Sequence, residues 1–155
     1  GEPMPKALFD KMVAAKNFQS GLQTLRQIEF SLFDMLVHTE FDPHSDANIL
    51  DLLAQVRKEV AVLVPPAYNR FPNSFSHIFA GGYSAGYYGY IWSEVLDADT
   101  VEWFKLNGGL NAANGEHFRD KLLSRGGSLD SMEMFREFRG RDAEIQPLLT
   151  RRGLN

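Results

Sequence analysis

The chain has 155 residues, of which 44% are hydrophobic, a formal net charge of −4 and no cysteine. This length and hydrophobic content suffice for one domain with a sizeable core. The acidic balance argues against a nucleic-acid-binding protein, and the absence of cysteine excludes disulfides and thiol catalysis.

Two helices are predicted near the N-terminus. The first covers residues 5–15, because proline suits the first turn of a helix and Pro5 opens this segment. The second covers residues 18–37, where apolar residues recur at helical spacing and indicate a face directed at a core. That face contains Leu22, Leu25, Ile28, Leu32 and Met35, with Phe33 and Leu36 widening it.

The loop after the second helix alternates acidic residues with others, at Glu40, Asp42, His44 and Asp46. A calcium loop of the EF-hand type needs a glycine at its sixth position and a closing glutamate, and neither is in register here. Asp42-Pro43 is typical of a turn instead, and we expect Ser45 or Asp46 to cap the next helix.

The third predicted helix covers residues 46–63, and Pro65-Pro66 ends it. Its apolar stripe consists of Ile49, Leu52, Leu53, Val56, Val60 and Leu63. Residues 65–82 are then predicted to be irregular, since proline, asparagine, serine and glycine are frequent there. Loops of this length inside compact domains are uncommon and usually functional.

Residues 83–98 are predicted to form a helix rich in tyrosine, followed by a short helical stretch over 99–106. Asn107-Gly108-Gly109 is a typical helix stop. Further helices are expected over 112–124, 130–139 and 142–151.

The boundaries of the last helices follow from capping residues. Asp130 and Glu133 resemble a capping box, Gly140 is expected to end that helix, and Asp142 is expected to cap the last one. The arginines of this half, interspersed with acidic residues, predict a solvated surface with salt bridges. They are Arg119, Arg125, Arg136, Arg139 and Arg141.

The tyrosines at 83, 87 and 90 form the most informative pattern in the chain. At about 100° per residue they would project within about 60° of one another, so one helix face would offer three phenol hydroxyls. Tyr88 and Trp92 would lie on the opposite side and supply aromatic bulk to a core. Hydroxyl donors on a rigid helix beside the Gly81-Gly82 pair predict a surface that binds a ligand or stabilises an oxyanion.

This region has two other interpretations, packing alone and a membrane span. Tyrosine often buries its ring while its hydroxyl finds a partner, so the stripe is also compatible with packing alone. Residues 71–93 carry no charged side chain and are long enough to span a bilayer. Pro72, Asn73 and the neighbouring polar residues are costly in hydrocarbon, so we expect no membrane span.

These residues resemble the zinc-dependent oligopeptidases of the thimet oligopeptidase family, in particular its bacterial branch. The resemblance rests on His77-Ile78-Phe79-Ala80-Gly81-Gly82-Tyr83 and on Ala85-Gly86-Tyr87-Tyr88-Gly89-Tyr90-Ile91-Trp92. It extends to Leu25-Arg26-Gln27-Ile28-Glu29-Phe30 upstream and to Phe138-Arg139-Gly140-Arg141 in the tail. The similarity covers essentially the whole chain.

The resemblance implies a zinc cofactor whose ligands lie outside this chain. Members of the family are several times longer and bind zinc through a His-Glu-x-x-His helix and a later glutamate, both upstream of the matched region. None of the four histidines here belongs to such a pair. We therefore expect the C-terminal part of a zinc peptidase catalytic domain, with no metal ligand in this chain and no activity on its own.

The resemblance also implies roles for particular residues. Tyr90 matches the tyrosine that stabilises the oxyanion, and His77 matches a histidine that assists catalysis or binds substrate. Tyr83 and Tyr87 match tyrosines that line the substrate cleft, while Gly81 and Gly82 match a flexible loop that closes over the peptide. Each has a structural alternative: a loop hydrogen bond for His77, packing for the tyrosines and a turn for the glycines.

Together these observations predict an all-α protein, a single helical domain of about seven helices that is a fragment of a larger helical peptidase domain. The expected partners are short peptides and the remainder of the peptidase chain, with neither nucleic acid nor membrane, and the expected compartment is the cytoplasm. A dimer through exposed apolar faces is also expected. The alternatives are a free-standing helical module that binds peptides without catalysis and a purely structural packing domain.

Overall fold

The computed structural model describes residues 1–154, which form helices, turns and loops without any β-strand. The helices in this part of the chain are α1 (Lys6–Ala15), α2 (Ser20–Thr39), α3 (Ile49–Val60), α4 (Phe71–Ser74), α5 (Ser76–Phe79), α6 (Gly89–Leu106), α7 (Ala112–Phe118), α8 (Ser131–Arg139) and α9 (Gln146–Arg152). A π-helical segment, Arg119–Leu123, follows α7 directly. The all-α prediction is confirmed, and the helices outnumber the expected seven partly because α4 and α5 lie within the segment predicted to be irregular.

The chain divides into two compact units, where the sequence predicted a single helical domain. The first unit is Gly1–Gly89, and the second begins at Tyr90. Each unit contains its own cluster of buried apolar side chains. The boundary follows Gly89, the first residue of α6, so Tyr83 and Tyr87 belong to the first unit and Tyr90 to the second.

The core of the first unit is built from α2 to α5. Its buried side chains are Phe30, Phe33, Leu53, Val56, Phe75 and Ile78. The ring of Phe30 stacks on that of Phe71, with centroids 4.8 Å apart. Burying a side chain of this size stabilises a fold by about 1.5–3 kcal/mol, so these few residues account for much of the packing between α2 and α3.

The buried face of α2 differs from the predicted stripe. Glu29, Phe30, Phe33 and Asp34 are buried, whereas Leu32 of the predicted stripe is 36% exposed. Arg57 of α3 compensates the buried Glu29, since its Nε donates to Glu29 Oε1 at 2.8 Å. Phe33, which was part of the predicted stripe, is buried, but hydrophobic periodicity did not predict the burial of Glu29 and Asp34 because both are carboxylates.

The start of α3 corrects the predicted cap. Asn48, rather than Ser45 or Asp46, caps the helix, with its Oδ1 accepting from the N–H of Leu50 at 2.9 Å. The predicted turn is present, because Asp42 Oδ1 accepts from the N–H of His44 at 2.9 Å.

The helix α1 presents an unusually exposed apolar surface. None of its residues is buried. Leu8, Phe9, Met12 and Val13 are each about half exposed. None of the helices in residues 1–154 combines the length and apolar character needed to cross a membrane.

The second unit contains a small apolar cluster and an aromatic one. Val95 and Ala98 of α6 pack with Leu148 of α9. The rings of Trp103 and His117 stack with centroids 4.8 Å apart.

The ends of the last two helices test the capping predictions. Asp130 Oδ1 caps α8 by accepting from the N–H groups of Met132 and Glu133, and Gly140 ends it at φ 83°, as predicted. The helix α9 begins at Gln146 rather than at residue 142, so the predicted cap at Asp142 is wrong. A proline in the first turn explains this start, since its missing N–H is not needed there.

A buried carboxylate also ties the second unit together. Asp99 of α6 is 0% exposed. It accepts from Arg139 Nε at 2.8 Å, from both terminal nitrogens of Arg141 at 2.7 and 2.9 Å, and from the N–H of Glu144 at 3.0 Å. Burial acts to raise the pKa of Asp99, but the hydrogen bonds from Arg141, Arg139 and Glu144 outweigh it and hold that pKa below its usual range. Arg139 and Arg141 therefore do not belong to the solvated surface predicted for the arginines.

Candidate functional site

The chain turns sharply after α5 at Gly81 and Gly82. The N–H of Gly81 donates to Ser76 O at 2.8 Å, and the N–H of Tyr83 donates to His77 O at 3.0 Å. A Cβ atom on Gly81 would lie 2.8 Å from His77 Cα, so the backbone approach requires glycine. Gly82 has φ 81°, a conformation that glycine adopts without steric cost. This close approach places Tyr83 beside His77.

The tyrosine helix begins later than predicted. Tyr83 and Tyr87 lie in turns, and α6 starts at Gly89. The predicted helix face with three phenols is therefore wrong. Tyr88 and Trp92, expected on the core side, are 53% and 44% exposed.

Asp34 of α2 explains why the loop between α5 and α6 is not helical. Its side chain is fully buried, and its two oxygens accept from the N–H groups of Ala85 and Tyr87, each at 2.9 Å. Ala85 has φ 52°, a left-handed conformation that costs about 1–2 kcal/mol for a residue with a Cβ. The hydrogen bonds to Asp34 hold the backbone in this unfavourable conformation and interrupt the helix.

A serine supports the same loop from the other side. Ser84 Oγ donates to Ile78 O at 2.6 Å, which ties the loop to α5. The loop is thus held to α2 through Asp34 and to α5 through Ser84.

His77, Tyr83 and Tyr87 are brought together as predicted members of one site. The His77 ring centroid lies 6.2 Å from that of Tyr83 and 6.1 Å from that of Tyr87. His77 is exposed, and Tyr83 is 38% exposed. These three rings, which we call the His77 cluster, present an imidazole and two phenols on one rim of the first unit.

Tyr87 is the most embedded member of the His77 cluster. Its ring meets those of Phe75 and Phe30 edge-on, with centroids 5.1 and 5.8 Å away. Burial raises the pKa of Tyr87, and the nearby charge of Arg26 opposes that rise in part. The phenol is therefore neutral at pH 7 and retains its proton for donation.

Tyr90 belongs to the second unit. It occupies the first turn of α6 and is 39% exposed. The sequence placed Tyr90 on one helix with Tyr83 and Tyr87, whereas the structure assigns those two residues to a loop of the other unit. Its predicted role as an oxyanion donor stays a prediction.

The described residues do not fit a catalytic zinc site. Such a site usually takes three protein ligands and keeps one position open for water. No group of three or more histidine, cysteine, aspartate or glutamate side chains in residues 1–154 is arranged to hold a metal ion.

The His77 cluster combines hydrogen-bonding groups with apolar walls. Phenols donate to carbonyl oxygens, and the rings beneath them can contact apolar side chains. A few polar groups on an aromatic surface are typical of sites that bind small organic ligands.

The sequence model of peptidase family M3 matches residues 1–154, so the chain belongs to that family. Within this class it is similar to oligopeptidase A of Salmonella typhimurium, with 51% identity over 99% of this chain and 23% of that protein. It is also similar to oligopeptidase A of Escherichia coli, at 51% identity over the same shares. Organellar oligopeptidase A of Arabidopsis thaliana is 40% identical over 99% of this chain and 20% of its own length.

These comparisons confirm the family resemblance inferred from the glycine and tyrosine motifs. The chain spans about a quarter of the length of the curated relatives that it matches. Asp34 is the main residue that sequence reasoning missed. Its one available signal was an acidic residue directly after Phe33, in the middle of an otherwise apolar helix face.

Proposed function

We propose that this chain is part of a zinc metalloendopeptidase that hydrolyses short peptides and acts in the cytoplasm. The match to peptidase family M3 over residues 1–154 carries this proposal, and the names of the relatives specify oligopeptidases. The residues of this chain supply substrate contacts and oxyanion stabilisation rather than metal ligands.

In the complete polypeptide, a zinc ion held by residues other than 1–154 would supply an activated water and a Lewis acid for the scissile carbonyl. Tyr90 donates a hydrogen bond to the oxygen on which negative charge develops. His77 assists at the same step or holds the substrate, and Tyr83 and Tyr87 line the cleft. The turn at Gly81-Gly82 closes over the peptide.

The chemical suitability of these residues supports the assignment. A phenol is neutral at pH 7 and is held at the end of a rigid ring, so it provides a donor that is fixed before charge develops. The exposed imidazole of His77 and the partly exposed phenol of Tyr83 lie where a peptide can reach them.

Replacing Tyr90 by phenylalanine in the complete polypeptide tests the proposal. The change removes one hydroxyl, so kcat should fall about 100-fold or more, the usual cost of losing one oxyanion donor. The melting temperature and zinc content should not change. Tyr68→Phe is the matched control, because Tyr68 is 80% exposed and lies outside the His77 cluster. Equal turnover in the Tyr90 variant and the wild type would refute the role of this hydroxyl.

A second experiment addresses the chain alone. We expect the 155 residues to show no peptide hydrolysis with or without added zinc, because residues 1–154 offer no metal site. Hydrolysis by a metal-free preparation would overturn this expectation. Tight peptide binding by this chain, together with no hydrolysis by the complete polypeptide, would instead favour the peptide-binding module.

A further inference from the structure

Asp34 is a buried carboxylate whose hydrogen bonds go to a loop backbone rather than to a cationic partner on a neighbouring helix. It is 0% exposed, and it accepts from the N–H groups of Ala85 and Tyr87, which lie 51 and 53 residues further along the chain. The other buried carboxylate of α2, Glu29, is paired with Arg57 instead. A buried carboxylate is costly unless it is well compensated, so its partners reveal what it holds in place.

The position of these two N–H groups links Asp34 to both tyrosines. Ala85 and Tyr87 flank Gly86, whose own N–H donates to Tyr83 O at 2.8 Å. Three successive peptide groups are therefore tied, two of them to Asp34 and one to the carbonyl of Tyr83. The same carboxylate thus determines where the backbone of Tyr87 lies and how the turn that starts at Tyr83 closes.

The loop needs such a support because its sequence favours no single conformation. Glycines occupy positions 81, 82, 86 and 89, and glycine has more backbone freedom than any other residue. Ala85 is held at φ 52°, where a residue with a Cβ is disfavoured.

His38 also lies close to Asp34. Its Nδ1 lies 2.8 Å from the backbone carbonyl of Asp34 and 3.0 Å from Asp34 Oδ1, one helical turn further along α2. The carboxylate therefore contacts the loop backbone through both oxygens and His38 of its own helix through Oδ1.

We propose that Asp34 is a positioning residue that holds Tyr83 and Tyr87 in the geometry required to receive a peptide. This inference rests on the proposed function, because it assigns Asp34 to the same substrate site. Asp34 itself is buried and contacts the loop backbone, so it acts through the tyrosines.

Hydrogen exchange tests the structural half of this proposal without any activity measurement. In the wild type, the amide hydrogens of Ala85 and Tyr87 should exchange far more slowly than unprotected amides. In Asp34→Asn, which preserves shape but replaces one acceptor by a donor, they should exchange about tenfold to 100-fold faster, as expected for the loss of a hydrogen bond to a charged group. Amides of α3 should keep their wild-type rates.

The matched control is Asp99→Asn, because Asp99 is equally buried but lies in the second unit. It should leave the exchange of Ala85 and Tyr87 unchanged. Fast exchange of both amides in the wild type would overturn the proposal even if Asp34→Asn failed to fold. Equal acceleration of the loop and of α3 in Asp34→Asn would also overturn it.

Kinetics of the complete polypeptide test the functional half of the proposal, that Asp34 positions the tyrosines for a peptide. Asp34→Asn should lower kcat/KM for a short peptide about 100-fold, the scale of loss when reacting groups are misplaced by about 1 Å. Zinc content should stay at the wild-type level. Asp99→Asn, assayed below its melting temperature, should keep kcat/KM within about twofold of the wild type, because Asp99 bonds to Arg139, Arg141 and Glu144, which lie outside the His77 cluster.

A double-mutant cycle separates positioning from general destabilisation. If Asp34 acts through Tyr87, then Asp34→Asn combined with Tyr87→Phe should be less impaired than the product of the two single effects. Effects that simply multiply would overturn the inference. Absence of hydrolysis by the wild-type polypeptide would refute the proposed function, while the exchange result would still decide the role of Asp34 in the loop.

Discussion

The two units each contain one aspartate with no exposed surface, and the two residues are compensated in different ways. Asp99 in the second unit accepts from two arginines and one peptide N–H. Asp34 in the first unit accepts from two peptide N–H groups and contacts His38. The same chemical group, equally buried, therefore has two uses. In one unit it joins α6 to the end of α8 and the segment that follows, and in the other it holds a loop backbone in place.

This difference separates a carboxylate that joins helical segments from one that holds a loop backbone. The guanidinium groups around Asp99 balance its charge and join residues 40 to 42 positions apart within one unit. The carboxylate of Asp34 instead accepts hydrogen bonds from the backbone of a loop that bears tyrosines.

The largest expected effect comes from removing the carboxylate of the second unit. Asp99→Ala should lower the free energy of unfolding by about 3–5 kcal/mol, because Arg139 loses its partner in a largely buried position. Urea unfolding measures this change, and Asp142→Asn is the control, since that side chain is 70% exposed. Asp34→Asn should lower the free energy of unfolding by less, about 1–3 kcal/mol. Equal decreases in the free energy of unfolding for Asp99→Ala and Asp34→Asn would contradict the difference between the two buried aspartates.

A smaller effect is expected from filling the turn of the first unit. Gly81→Ala would place a Cβ atom 2.8 Å from His77 Cα, a contact that requires the backbone to move. We expect a loss of about 1–3 kcal/mol, typical of overpacking, and a measurable displacement of Tyr83. At Gly86 the nearest atom to a Cβ would be Tyr83 O at 3.5 Å, so Gly86→Ala is the matched control. Identical melting temperatures for these two variants would contradict the close approach.

The smallest effect concerns pH. The pKa of Asp99 is lower in the folded protein than in the unfolded chain, so its charged form contributes stability above the ordinary aspartate pKa of about 3.9. That contribution is lost as the pH falls from there through the lower folded-state pKa. The free energy of unfolding of the wild type should therefore fall more steeply below pH 4 than that of Asp99→Asn, by about 1.4 kcal/mol for each unit of pKa difference. Parallel pH profiles, measured by urea unfolding, would contradict the assignment to Asp99.

Local signals in the sequence predicted much of the helical framework. Asp130 and Gly140 bound α8 as expected, because capping depends on residues within one turn of the helix end. The stripe of α3 was confirmed at Leu53 and Val56. The burial of Glu29 and Asp34 on α2 and the start of α6 were not predicted, since they depend on partners far along the chain.

The sequence alone determined the all-α class, several helix ends and the family. The class and the helix ends follow from neighbouring residues, whose effects on the backbone are short in range, and the family follows from the motifs themselves. Only the tertiary structure decided that Tyr83 and Tyr87 lie on a loop, that α6 begins at Gly89, and that Asp34 and Asp99 are buried. Each of these depends on hydrogen bonds between residues 40 or more positions apart, which no helical periodicity encodes.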